Sequence, residues 1–337
     1  MKNPTRALYN AYLSQVAKLN GVDDATTKFT VSPAVQQTLE TRMQESSQFL
    51  TSINVNLVTD QEGEKVGLGI GGTIAGRTDT NAKDRETRDV GSLDSNKYRA
   101  EKTDSDTHVR YATLDAWARF ADFQTRLRDA ILKRQALDRI TIGFNGTSVA
   151  ATTDRAANPL LQDVNIGWLE QYRRQAAQRV MSHGAAVGSK IKVGAAGDYE
   201  NLDALVFDMV NNLLDPWHQE DTELVAICGR GMLHDKYFPL LNKAQDPTEQ
   251  IAADLIVSQK RIGGLAAVRV PYFPANAVMV TRLDNLSIYV QEGSRRRSVI
   301  DNPKRDRIEN FESSNEAYVV EDFGCGAVAE NIEIVQA

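Results

Sequence analysis

The chain has 337 residues, 42% apolar and 25% charged, which is ordinary globular composition; it can bury a substantial core in two or three compact units and is not mostly disordered. Its 39 Lys plus Arg against 45 Asp plus Glu give a net charge of −6, the wrong sign for a protein whose affinity comes from neutralising phosphates. No apolar run approaches the roughly 20 residues that span a bilayer, no apolar signal core follows residues 1–6, and Cys228 and Cys325 read as reduced thiols, so a cytoplasmic protein without a membrane partner is expected.

Residues 8–19 place Leu8, Tyr12, Val16 and Leu19 at helical spacing, with Gly21 as the stop. A polar stretch at 22–28 has no periodicity and should be accessible. Ser32 before Pro33 is a helix-start signal, and Val35, Leu39, Met43 and Leu50 predict an amphipathic helix to about residue 51. Ile53, Val55 and Leu57 then alternate as in a strand. Residues 63–76 and 97–111 read as extended arms around a tip at 77–96, where only Ala82, Val90 and Leu93 are apolar. Such a tip cannot pack a core of its own, and a hairpin standing alone is marginal unless something covers it, which points to another subunit.

Residues 112–142 contain neither glycine nor proline and are rich in helix formers. Leu114, Trp117 and Ala121 form one stripe, and Phe120, Phe123, Leu127 and Ile131 a neighbouring one. About 30 residues make a rod of about 45 Å, ended by Gly143 and Gly146. From 147 to 286 helical signals (165–178, 202–214, 249–259) alternate with strand signals (224–228, 266–270, 278–282), predicting a compact α/β unit. The end is strand-like at 287–290, 317–320 and 327–335.

Three motifs invite chemical readings. Gly67-x-Gly69-x-x-Gly72 fits the dinucleotide fingerprint as a string, but residues 73–81 offer no amphipathic helix to face a pyrophosphate, so nucleotide binding remains the alternative function and a flexible hairpin the preferred reading. Asp215, His218, Glu220 and Asp221 lack the paired-histidine spacing of metal sites and read as a solvated acidic loop anchored by Trp217. Cys228 and His234 lack a third group to orient the histidine, and Gly229 and Gly231 around Arg230 read as a turn. No catalytic residue, metal ligand or cofactor is assigned. The basic run Arg295, Arg296, Arg297, with Lys304, Arg305 and Arg307, is interleaved with Asp301, Asp306 and Glu309; it reads equally as a solvated face or as a subunit contact with an acidic neighbour.

Six long stretches in order, beginning at Asn10, Ser32, Thr113, Asn158, Ala252 and Asn285 (NAYLSQVAKLNGV, SPAVQQTLETRMQESSQFL, TLDAWARFADFQTRLRDAILKRQALDRITIGFNG, NPLLQDVNIGWLEQYR, AADLIVSQKRIGGLAAVRVPYFPA, NLSIYVQEGSRRR), are similar to the major capsid proteins of P-two-like tailed phages. The resemblance implies an α+β chain of the Hong Kong ninety-seven capsid type that self-assembles into pentamers and hexamers of an icosahedral shell. Its parts would be a removable leader (1–29), an N-arm (30–60), an extended hairpin loop (61–111), a peripheral domain with a long spine helix (112–146 and 287–337) and an axial domain (147–286). It further implies a scaffolding protein, a maturation protease, a portal protein and non-specifically packaged DNA as partners, with residence in host cytoplasm before assembly and in the virion after it. Processing is expected near Phe29 and Thr30; Arg77, Lys83, Arg85, Arg88, Arg295, Arg296 and Arg297 are the candidate intersubunit contacts. No Lys–Asn crosslinking pair of the kind some relatives use can be matched here.

Overall fold

A computed structural model describes residues 1–66, 75, 77–80, 82, 84–85, 95–118, 120, 123–229, 231–232 and 261–335. The Gly67–Gly72 fingerprint, Arg230, His234, the expected helix at 249–259 and most of the hairpin tip, Lys83 and Arg88 included, lie outside these residues.

In chain order the first elements are α1 (Asn3–Asn20), β1 (Phe29–Thr30), α2 (Pro33–Glu45), α3 (Gln48–Ser52), β2 (Asn54–Val58), β3 (Glu62–Val66) and β4 (Ser95–Arg99). Next come β5 (Glu101–Asp104), β6 (Thr107–Arg110), α4 (Tyr111–Trp117), α5 (Phe123–Asn145), α6 (Trp168–Gln175), β7 (Val180–Met181), β8 (Ile191–Gly194) and α7 (Leu202–Leu213). Then follow β9 (Val225–Cys228), β10 (Arg261–Ile262), β11 (Leu265–Arg269), β12 (Val278–Thr281), β13 (Leu286–Gln291), β14 (Arg296–Asn302), β15 (Arg307–Val320), β16 (Gly326–Ala329) and β17 (Ile332–Val335).

Two sheets organise the chain. The first runs β1-β14-β15-β13-β2, with β5 and β6 also paired to β15. The 14-residue β15 is its axis: β14 and β13 share one edge in succession, and β6 and β5 the other, all antiparallel to it. The second runs β10-β11-β9-β12-β16-β7. Along its central strands alternate side chains enter different cores: Ile227 and Met279 join α5 and α6, whereas Ala226, Cys228, Val278 and Val280 join α7. Both faces are covered, so all four residues of β12 are buried and the strand reads as one apolar run.

Local sequence explains most elements and the places where they depart from expectation. At the end of α1, Gly21 adopts φ 65°, which lets the N–H of Val22 reach the Ala17 carbonyl at 3.0 Å. The buried face of α1 is Thr5, Tyr9, Val16 and Ala17, rotated from the expected stripe, and Leu8 and Leu19 are exposed. The helix expected from 33 to 51 breaks at Ser46, whose hydroxyl donates to the Met43 carbonyl at 2.7 Å, and Ser47 is extended before α3 turns Phe49 and Leu50 into the core. Ser32 does begin α2, but its side chain makes no cap bond.

The single long helix expected over 112–142 is two helices. The apolar face of α4 (Tyr111, Leu114, Trp117) packs with Tyr9, Val299 and Ile308, whereas Leu132, Ala136 and Ile140 of α5 belong to the main core. Two targets in different directions outweigh the helix propensity of the intervening residues. Gly143 lies inside α5, not at its end, and its missing side chain makes room for the Trp168 ring: a Cβ there would stand 2.2 Å from Trp168 Cζ3. The helix expected at 165–178 shortens to α6 and one 3-10 turn, since Asn165 donates its side-chain amide to the Glu316 carbonyl and Gly167 lies against the Ile142 and Gly143 carbonyls. The strand expected at 327–335 is split by Asn331 at φ 58° into β16 and β17. Both pair within the second half of the chain, β16 with β12 and β7 in the second sheet and β17 with β8.

Candidate assembly surface

The first sheet is held to its helices by a buried ionic cluster. Arg139, on α5, donates Nη1 to Glu40 Oε2 at 2.5 Å and Nη2 to Glu316 Oε1 at 2.7 Å. Arg295, immediately before β14, donates Nη1 to Glu40 Oε1 and Nε to Glu312 Oε1, each at 2.7 Å, and reaches Gln135 Oε1 at 3.2 Å. The Ser314 hydroxyl adds a bond to Glu316 at 2.6 Å. All five charged side chains are buried, so α2, α5, β14 and β15 are tied at one point. Burial alone would raise the Glu316 and Glu312 carboxyls, but the charges of Arg139 and Arg295 and the bonds they donate outweigh it and hold both below the usual glutamate range.

This cluster corrects the reading of the basic run. Arg295 is 2% exposed and spent on its own chain, so it leaves the set of intersubunit contacts. Arg297 is half-buried, with Nε on Asn310 Oδ1 and Nη2 on the Tyr12 hydroxyl, each at 2.7 Å; Arg296 is exposed. Alternation along β14 produces the split: neighbours on a strand point to opposite faces. Arg77 and Arg85 are exposed. None of these places Arg77 or Arg85 beside Arg296 or Arg297.

The chemical candidates resolve into structural pairs. Asp215 accepts from Arg179 at 2.7 Å, Asp221 from Arg282 at 2.9 Å, and His218 Nε2 lies 3.0 Å from Asp322 Oδ2. These pairs anchor the 215–221 loop; Trp217, expected to do so, is 54% exposed. Cys228 and Cys325 are both buried, and burial pushes the Cys325 thiol up to about 11. Among the described residues no group of three His, Cys, Asp or Glu could hold a metal ion, and no helix is long and apolar enough to cross a membrane.

Three surface features remain for binding other chains. The β3–β4 ladder carries cross-strand pairs Arg99–Glu62 at 3.2 Å and Lys97–Glu64 at 3.6 Å. A cleft of about 590 Å³ opens between α5, β5–β6 and residues 149–164, with Val149, Leu160 and Tyr272 exposed at its wall. Arg134 and Asp138 line it, and burial raises the Asp138 carboxyl although Arg134 and Arg155 pull it down. Phe29 and Thr30 form the edge strand β1, opposite Arg297 and Arg296; Phe29 is buried, Thr30 exposed, and residues 26–28 before them are largely exposed.

The family described as "Phage major capsid protein, P2 family" matches residues 8–332. The chain belongs to the P2 family of phage major capsid proteins. It is 54% identical to the "Capsid proteins" of Escherichia phage P2, over 99% of this chain and 96% of that one, and 40% identical to the "Major capsid protein" of Serratia phage KSP20, over 100% and 99%. Its fold superposes with TM-score 0.83 and 50% identity on a chain of "Satellite phage P4 procapsid including size determination (Sid) protein", covering 100% of this chain and 99% of that one. Membership gives the function: the chain is a major capsid protein that self-assembles into the shell, and nothing supports the nucleotide-binding alternative. Sequence reasoning missed the ionic cluster, although Arg139 sits one helical turn from both Ala136 and Gln135 on an apolar stripe, a position where a charge needs a partner.

Proposed function

We propose that the subunit builds its shell through the arm at residues 61–111, laid over a neighbouring copy, and through the α/β unit around 147–286, which meets its copies at pentamer and hexamer centres. The observation that carries this is the β3–β4 base: a charged ladder joined to the first sheet at Ala100 and Tyr98, whose tip at 77–96 has almost no apolar side chain to pack at home. In this reading residues 1–29 are a leader, 30–60 an N-arm, and 112–146 with β13–β15 the peripheral unit. Arg77, Lys83, Arg85, Arg88, Arg296 and Arg297 supply cationic contacts to neighbours. The chain acts without catalysis. A scaffolding protein, a maturation protease, a portal protein and packaged DNA are its partners, assembly starts in host cytoplasm, and a size-determining protein of the kind present in the P4 procapsid is a fitting external partner.

The test is deletion of residues 77–96 with a short turn closing the arm. The subunit should keep its circular dichroism spectrum and melting temperature, because the tip adds little to its core. Particle yield after co-expression with scaffold and protease should collapse, since one weakened contact is repeated throughout the shell. Normal shells would refute the intersubunit arm; loss of folding would show that a core element had been removed.

A further inference from the structure

The interface beneath α1 differs in kind from the one beneath α2. Where α2 meets the sheet, Glu40 is locked between two guanidiniums and Gln36 bonds the Gln291 carbonyl and the Gly293 N–H, at 3.1 Å each. Where α1 meets it, the centre is apolar: Tyr9, with Tyr12 and Leu13 beside it, packs on Val109, Tyr111, Leu114, Trp117, Val299 and Ile308. Yet three buried polar atoms in that contact have no partner, the Tyr9 hydroxyl, the Thr107 hydroxyl and the Asn310 amide nitrogen. All three residues line one cavity of about 30 Å³ under the helix. Each such orphan weakens the contact. Two of the fastenings around it are solvent-accessible, Arg6 to Asp301 at 2.9 Å, with the Arg6 side chain 46% exposed, and the Lys2 N–H to Asp115 at 3.0 Å, whereas the bond from Arg297 Nη2 to the Tyr12 hydroxyl at 2.7 Å is half-buried. Behind α1, the chain is held to the sheet before α2 begins by the two residues of β1 and by two further backbone bonds, from the Val299 N–H to the Ala25 carbonyl at 3.0 Å and from the Val31 N–H to the Arg295 carbonyl at 2.8 Å.

We propose that α1 is a detachable cover over a helix-docking face, and that the uncovered face takes an amphipathic helix of a partner protein carrying a cation in its first turn. The face has the shape and charge for that occupant. Leu114, Trp117, Val299 and Ile308 form an apolar strip, and Asp115 and Asp301 flank it as acceptors that α1 now satisfies with its own first turns. A helix with the same pattern, apolar at one stripe and basic near its start, replaces the packing on Leu114, Trp117, Val299 and Ile308 and the bond to Asp301; an acidic helix would set its charge against two carboxylates. Processing between α1 and α2 sets when the face opens, and in that respect the inference rests on the leader reading above. Whether α1 detaches does not rest on it.

The experiment therefore places a specific protease site within residues 23–28 of the full chain and cuts it in solution. Size-exclusion chromatography with mass spectrometry should show the α1 fragment leaving on dilution, while the remainder keeps its melting transition. A synthetic peptide of residues 1–21 should rebind, read by fluorescence anisotropy, and the Arg6→Glu peptide should bind roughly fivefold more weakly. Thr107→Val, which removes one orphaned hydroxyl at nearly constant volume, should tighten rebinding by roughly fivefold. A fragment that stays bound through dilution, or a remainder that unfolds when it leaves, overturns the proposal by making α1 part of the core. Equal binding of the two peptides overturns the cationic occupant. If natural processing proves to lie elsewhere but the engineered cut releases α1, the leader reading fails and the docking face stands.

Discussion

Arg295 and Glu40 stand 255 positions apart in the chain and meet at 2.7 Å, guanidinium to carboxylate, with both side chains buried. Glu40 also holds Arg139, so one carboxylate neutralises two cations drawn from different elements. Removing its charge takes one of two carboxylates from each guanidinium and leaves Glu316 on Arg139 and Glu312 on Arg295. Glu40→Gln keeps the shape and removes the charge, and is expected to cost about 1–3 kcal/mol in urea or thermal unfolding of the subunit. A loss under about 1 kcal/mol would mean that water reaches the cluster.

The same cluster sets an acid limit. Burial pushes Glu312 and Glu316 up and the arginines more than offset it, so both folded carboxyls titrate below the ordinary value of 4.5. A depressed carboxyl gives stability that is complete above its unfolded pKa and is lost as pH falls through the folded one. The melting temperature should therefore hold down to about pH 5 and fall below it. Asp138, raised by burial, works in the opposite direction and blunts the decline. Glu316→Gln should flatten the acid slope; an unchanged slope would assign acid sensitivity to other groups.

Gly143 marks a close approach inside a helix. An alanine there would put its Cβ 2.2 Å from the Trp168 ring, whose Nε1 is pinned by a 3.0 Å bond to the Ser287 carbonyl and cannot retreat freely. Gly143→Ala should cost about 1–3 kcal/mol despite its better helix propensity, with a shift in tryptophan emission. A stabilised protein with unchanged emission would show that the ring moves aside without penalty.

How much of this was legible in the sequence follows from what periodicity can report. The apolar run of β9 and β12 and the boundaries of α7 were readable because one face, or both, is filled by ordinary apolar side chains, whereas β2 forms where its alternation placed it although Leu57 stays exposed. Glu40 and Gln36 were not, because they are polar residues on the buried face of α2, satisfied only by groups more than 90 positions away. The break before α5 was hidden for a related reason: residues 112–142 are good helix formers throughout, and only the separate destinations of Leu114 and Leu132 divide them. Arg295 looked like its neighbours Arg296 and Arg297 because composition does not tell which side of a strand edge a residue takes. The candidate contacts were legible as charge and the anchor beneath them was not.

The N-terminal boundary gives the last expectation. Residues 26–28 are largely exposed and carry no strand or helix, with Asp24 folding back on Thr26 through bonds of 2.8 Å to its N–H and 2.6 Å to its hydroxyl. Phe29 and Thr30 are extended, the backbone form a protease needs, but they are paired to β14 and Phe29 is buried. Two residues of edge strand open at small local cost, so this segment can present itself without unfolding the subunit. From Gln36 onward the chain is held by α2 and its buried bonds, and a cut farther along would have to break the ionic cluster. Intact mass measurement on finished particles should therefore find a chain about thirty residues shorter than the translated one, beginning near Thr30. Full-length protein in finished particles would sink the assignment of 1–29 as a leader, and a start beyond Gln36 would show that α2 also comes loose.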